Sequence, residues 1–186
     1  MSDLIGQKVI DSTSLVAVIG AGAMGAGIAQ VAAQAGHKVL LFDHNEQAIF
    51  KAKEFIGTQL HKRVLKGKLS QENYDLCLEN IIPTYSLNNL VEVDLVIEAI
   101  VENLEVKQTL FLELESICKN TCIFASNTSS ISITSIASKL KHPDKFFGLH
   151  FFNPAPLMSL VEIICGLASD TRLVPVLYKT LSLIHL

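Results

Sequence analysis

"SLVAVIGAGAMGAGIAQVAAQAGHKVLLFD", from Ser14 to Asp43, decides the fold. Its first part, "SLVAVIG", is a short β-branched apolar run closed by a glycine, which is the pattern of a strand covered on both faces in a parallel sheet. From Ala23 to Ala35 small residues alternate with Met24, Ile28 and Val31 at helical spacing, and Gly36 supplies a C-cap. "HKVLLFD" then reads as a second strand. Strand, helix and strand in so short a span make a βαβ unit.

The turn inside that unit is "GAGAMG", a GxGxxG arrangement at Gly20, Gly22 and Gly25 with Ala23 and Met24 between them. The motif alone is weak, because helices rich in small residues produce it by chance. Here it follows a predicted strand, opens a predicted helix, and is answered by an acidic residue, Asp43, about 20 residues on. Each glycine has a physical task. Gly20 permits the tight turn, Gly22 lets a pyrophosphate approach the backbone, and Gly25 lets the helix pack on the strand. The phosphates of a dinucleotide would sit on the free N–H groups and positive dipole end of the helix. Asp43 would accept from the adenosine ribose hydroxyls and repel a 2′-phosphate, which favours NAD over NADP.

Outward from this unit, residues 1–13 read as a polar lead-in. The span from about 45 to 82 reads as a long amphipathic helix, a basic turn "HKRVLKGKLS", and a second helix stopped by Pro83. "VDLVIEAI", "TCIFAS", "KFFGLHFF" and "LVEIIC" supply further strands. "NLEVKQTLFLELESICKN" and "TRLVPVLYKTLSLIHL" supply helices, the last with Pro175 near its first turn. The alternation predicts an α/β fold of the Rossmann type over residues 1–186: a doubly wound, mostly parallel sheet with a long helical insertion after the second strand.

Composition narrows the partners. The 15 basic and 18 acidic side chains leave a formal net charge of −3, scattered rather than clustered, so there is no footprint for nucleic acid or an anionic membrane. The uncharged run from Ser12 to Gly36 is long enough to suggest a membrane span, but four glycines in its middle and plain flanks argue against one. Asp3 and Asp11 likewise fit a signal peptide poorly. The four cysteines, Cys77, Cys118, Cys122 and Cys165, form no CxxC pair and read as reduced, mostly buried thiols of a cytoplasmic protein, with no metal site.

A second stretch, "GLHFFNPAPLMSLVEII" from Gly148 to Ile164, sets His150 in an apolar run, breaks at two prolines and then buries a glutamate, Glu162. Taken alone, His150 is a core histidine with a satisfied ring and Glu162 an edge-strand carboxylate. Four blocks change that reading. "VIGAGAMGAGIAQVAAQAGHKVLLFD", "VIEAIVENLEVKQTLF", "FASNTSSISITSIA" and "GLHFFNPAPLMSLVEII" resemble, in order, the signature blocks of the L-3-hydroxyacyl-CoA dehydrogenases.

The resemblance implies NAD-dependent oxidation of an (S)-3-hydroxyacyl-CoA, with His150 as catalytic base and Glu162 as the acid paired with it. It places Ser129 at the substrate's 3-oxygen and Asn153 near the nicotinamide and substrate. Glu102 and Lys107 match positions at the cofactor, their plain reading being a capping segment and a solvated charge pair. Lys66 matches a basic residue that meets the CoA phosphates, among Lys62, Arg63 and Lys68, while Gln59 departs from a serine found in some members. The resemblance further implies that residues 1–186 are the NAD-binding domain of a longer chain. An all-helical C-terminal domain and a last strand of the cofactor domain would follow, that helical domain forming the dimer interface, and the helix at "VPVLYKTLSLIHL" would be exposed without it. Two other readings keep the fold: a dinucleotide-binding module without catalysis, and a dehydrogenase of free 3-hydroxy or sugar acids, which would not need Lys66.

Overall fold

In the computed structural model, which describes residues 14–184, seven strands form one sheet in the order β3-β2-β1-β4-β5-β6-β7. In chain order they are β1 (Leu15–Ile19), β2 (Lys38–Phe42), β3 (Ile81–Thr84), β4 (Leu95–Glu98), β5 (Ile123–Ser126), β6 (Phe146–Phe151) and β7 (Val161–Cys165). The first six run parallel and β7 returns antiparallel beside β6. The helices are α1 (Ala23–Gln34), α2 (Glu46–Leu65), α3 (Gln71–Asn80), α4 (Leu104–Ile117), α5 (Ile133–Ala137) and α6 (Val174–Ile184). The polar lead-in read over residues 1–13 and the last two residues lie outside the described residues.

Alternation along β1 shows why the sheet is covered on both sides. Val16 and Val18 enter one apolar core with α1, α2 and α6, while Ala17 and Ile19 enter a second with α4 and α5. A strand whose successive side chains point to opposite faces must be apolar throughout when both faces are dry. Helix α1 has no polar face for a related reason: Gly25 through Ala33 are all buried, and small side chains let it lie close to the sheet. The long uncharged run near the N-terminus is thus a strand and a short helix, and no described helix is long and apolar enough to cross a membrane.

Three features depart from the sequence reading. Pro83 does not stop α3, which ends at Asn80; it lies inside β3, paired with Leu41. β3 is an edge strand, where a missing N–H is tolerated. "TCIFAS" is therefore the fifth strand rather than the fourth. Helix α5, started by Ser132 accepting from the Ser135 N–H, is too short to show a helical period. Finally, α6 is not laid bare: Leu177, Thr180 and Leu181 are buried, with Leu177 and Leu181 in the core beside α1, and only its outer side, as at Tyr178, faces solvent.

Three of the cysteines, Cys77, Cys118 and Cys122, are buried, and Cys165 is exposed. Burial pushes the Cys77 thiol up to about 11, the behaviour of an inert core thiol.

Candidate functional site

The strand order reverses direction between β1 and β4, and in a doubly wound sheet the crevice outside the carboxyl ends of those strands receives the ligand. A groove of about 710 Å³ opens there, lined by Gly20, Gly22, Asp43, His44, Ile100 and Val101 among others. Gly20 has φ +103°, and a Cβ on it would meet the Ala99 carbonyl at 2.6 Å. A Cβ on Gly25 would lie 1.8 Å from the Gly20 oxygen, so helix and turn can touch only through glycine. Gly22 has open space where its side chain would be.

Helix α1 also begins differently from α2, α3, α4 and α5. Asn45, Ser70, Asn103 and Ser132 each accept from a backbone N–H at the starts of α2, α3, α4 and α5, whereas Gly22 starts α1 with no side-chain cap and no acidic residue in the first turn. The N–H groups over Ala23 and Met24 are left for an external anion. At the far side of the turn Asp43 Oδ2 accepts from the Ala21 N–H at 2.7 Å and Oδ1 from Asn45 at 2.9 Å. The carboxylate thereby holds the glycine turn against β2 and keeps lone pairs for a ribose. These residues fit a dinucleotide: an open glycine beneath an uncapped helix start, with an anchored carboxylate one strand away.

A second cavity, about 300 Å³, lies along the same edge of the sheet and is lined by residues from Thr128 to Thr134 with His150, Glu162, Ile164 and Cys165. His150 and Glu162 face each other across the β6–β7 ladder. The His150 Nδ1 is 2.8 Å from Glu162 Oε2, with the imidazole 22% and the carboxylate 52% exposed. With Nδ1–H donated to the carboxylate, Nε2 is the nitrogen free to take a proton. Ser129 is exposed on the same cavity. Glu162 is therefore not a buried glutamate; it sits on the edge strand, half in solvent.

The buried glutamate is Glu98, at the end of β4. Its Oε1 accepts from the Lys107 ammonium at 2.6 Å and from the Ile100 N–H at 2.7 Å, and its Oε2 from the Ser126 hydroxyl at 2.6 Å. Lys107 also pairs with Glu102 at 3.3 Å. Rather than a solvated pair on a helix, Lys107 is 1% exposed, on α4, and is not among the residues lining the groove. Glu102 takes hydrogen bonds from the Thr128 and Ser130 hydroxyls. Its partial burial raises the carboxyl, but Thr128, Lys107 and Ser130 together outweigh that and hold it below the usual range.

Asn153 is exposed at a cis peptide to Pro154 and does not line the His150 cavity. Lys66 caps the C-terminus of α2 in solvent, away from both cavities. Its neighbour Lys62 borders a separate cleft of about 750 Å³ between α2, α3 and β3, with Phe50, Lys53 and Tyr74. Reading the sequence missed Glu98 and His44, gave Asn127 and Thr128 no individual role in their loop, and took Cys165 only as one of four thiols. Glu98 did carry a signal, since a charge inside the apolar run "LVIEAI" of a doubly covered strand requires a buried partner.

The family model described as "3-hydroxyacyl-CoA dehydrogenase, NAD binding domain" matches residues 15–184. The 3-hydroxyadipyl-CoA dehydrogenase of Escherichia coli (strain K12) is 50% identical over 159 residues, which are 86% of this chain and 34% of that protein. The 3-hydroxybutyryl-CoA dehydrogenase of Clostridioides difficile is 45% identical over 151 residues, 81% of this chain and 54% of that one. A crystal structure of 3-hydroxybutyryl-CoA dehydrogenase from Escherichia coli K12 superposes with a TM-score of 0.89 at 48% identity, covering 92% of this chain and 36% of that chain. The chain thus spans about a third to a half of the length of these relatives. A motif, a strand order, a groove and a residue-level match agree, and the chain belongs to the 3-hydroxyacyl-CoA dehydrogenase family, matching its NAD-binding domain.

Proposed function

We propose that this chain is the cofactor domain of an NAD-dependent (S)-3-hydroxyacyl-CoA dehydrogenase, interconverting 3-hydroxyacyl-CoA and 3-oxoacyl-CoA in the cytoplasm. The observation that carries the reading is the His150–Glu162 pair at 2.8 Å, in a cavity shared with Ser129 and on the sheet edge that also bears the dinucleotide groove. Such a pair is more than a nucleotide-binding module requires.

NAD, when bound, supplies the hydride acceptor. Gly20, Gly22, Gly25 and the first turn of α1 at Ala23 and Met24 would hold its pyrophosphate, and Asp43 its adenosine ribose. His150 Nε2 takes the proton of the 3-hydroxyl as the carbonyl forms. A histidine suits this because its ordinary pKa lies near neutrality, so it can both accept and return the proton. Glu162 fixes the ring's tautomer and stabilises the imidazolium, the role of the carboxylate in a catalytic triad. The Ser129 hydroxyl, exposed on the cavity, donates to the 3-oxygen as negative charge gathers there. Asn153, beyond β6, would meet the substrate from the side the cavity leaves open. Glu102, next in the chain to the groove residue Val101, would orient the nicotinamide half of the cofactor.

Lys66 and its basic neighbours would meet the phosphates of the CoA tail. In the full-length enzyme a helical domain following residue 186 would close over the cavity and pair two chains. That closure would exclude water from the site and hold the substrate for hydride transfer.

NADH oxidation with acetoacetyl-CoA, run beside free acetoacetate, tests the reading. Oxidation with the thioester and little with the free acid is expected, with Lys66→Glu raising KM for the thioester. Equal rates with both, unaffected by Lys66→Glu, would instead favour a dehydrogenase of free acids.

A further inference from the structure

Glu98 lines neither the groove nor the His150 cavity, yet its hydrogen bonds reach loops that border each of them. One buried carboxylate ties three pieces of chain together. Through Oε1 it holds the Ile100 N–H, in the loop that lines the dinucleotide groove, and Lys107 on α4. Through Oε2 it holds Ser126 at the end of β5. Ser126 Oγ in turn accepts from the Thr128 N–H at 3.3 Å, and Thr128 Oγ1 accepts from Ile131 at 2.9 Å, which shapes the loop that presents Ser129. Between them, Asn127 donates its N–H to the Glu98 carbonyl at 2.8 Å and accepts with Oδ1 from the Phe151 N–H at 2.8 Å. Phe151 is the residue after His150, so the loop also pins the catalytic strand. From the other side Lys107, shared between Glu98 and Glu102, closes the ring, because Glu102 holds Thr128 and Ser130.

We propose that Glu98 is a positioning residue that sets Ser129 and His150 in register with the dinucleotide groove, with Lys107 held in the same strut. The proposal rests on the dehydrogenase reading above. A charged pair this deep is costly to desolvate and is a weak source of stability by itself. Its value lies in geometry. Two carboxylates compete for one ammonium, and two further hydrogen bonds converge on the Glu98 carboxylate, so each loop has a single position in which every partner is met. Catalytic groups misplaced by about 1 Å lose about 100-fold in rate.

Two variants of this chain separate the role from plain folding. Glu98→Gln keeps the volume but cannot balance Lys107, which then leans on Glu102. Ser126→Ala leaves the buried ion pair intact and cuts only the link to the Ser129 loop. Both should bind NADH within about threefold of the parent while kcat falls, about 100-fold for Glu98→Gln and about tenfold for Ser126→Ala. Amide hydrogen exchange gives a readout that needs no turnover: Phe151 and Ile131 should exchange faster in Ser126→Ala, with the amides of β1 and α1 unchanged. If Glu98→Gln does not fold, Ser126→Ala decides alone. Unchanged kcat and unchanged exchange at Phe151 and Ile131 in that variant would overturn the proposal. Failure of the parent itself to bind NADH would count against the dehydrogenase reading, while the exchange comparison would still judge the strut.

Discussion

At the scale of single residues, the two acidic side chains that matter most do opposite things. Glu162 is half exposed on the edge strand beside His150, whereas Glu98 is sealed against a buried ammonium. Lys107→Met removes that ammonium and leaves a buried carboxylate unpaired, which costs about 3–5 kcal/mol. Thermal denaturation should show the loss. Asp43 works by accepting, so Asp43→Ala should weaken NADH by about 1.5–3 kcal/mol and narrow its advantage over NADPH. An unchanged ratio of the two affinities in a fluorescence titration would contradict the ribose contact. Cys165 is the exposed thiol among the described residues and borders the His150 cavity. A maleimide should modify it before Cys77, Cys118 or Cys122, and peptide mass mapping would reveal the order.

Among the elements, the glycine turn and α1 act as one piece. A methyl group at Gly25 has nowhere to go against the Gly20 carbonyl, so Gly25→Ala should lose NADH binding with the rest of the fold retained, checked by titration and circular dichroism. The loop after β5 depends on ionised Glu102. Because that carboxyl is held below its ordinary value of 4.5, its contribution is present above about that pH and fades as pH falls through the lowered value, so the loop should loosen only in acid. Much of this was legible in the sequence. The βαβ unit could be read because a doubly covered strand is apolar throughout and the glycines mark a turn that no other residue fits. The His150–Glu162 pair was legible only through family resemblance, since a histidine in "GLHFF" has a plain core reading. β3 was not, because a proline within four residues reads as a break until the neighbouring strand shows it to be an edge. A charge inside "LVIEAI" announces that Glu98 needs a buried partner, but the strut joins residues from three separate segments, and no local pattern says which ones meet.

For the molecule as a whole, two cores divided by one sheet leave the groove and the His150 cavity on a single edge. The groove between β1 and β4 and the cavity at β6 and β7 are joined by the loops that leave β4 and β5. Helix α1, whose N-terminus faces the groove, packs on the turn after β6: a Cβ on Gly27 would come 3.1 Å from Pro156 and 3.2 Å from Ala155. The helix that opens at the groove and the segment that follows His150 are therefore in direct contact. α6 closes this side with Leu177 in the core, so Leu177→Ala should cost about 2–5 kcal/mol in urea unfolding and spare NADH affinity in the folded fraction.

The most direct test of the account is NADH oxidation by acetoacetyl-CoA in this chain and in His150→Gln, with NADH affinity measured in both. The expected result is equal NADH affinity and a rate that falls about 100-fold or more in the variant. A variant that oxidises NADH as fast as the parent would contradict the assignment of His150 as the base, and with it the reading of the site.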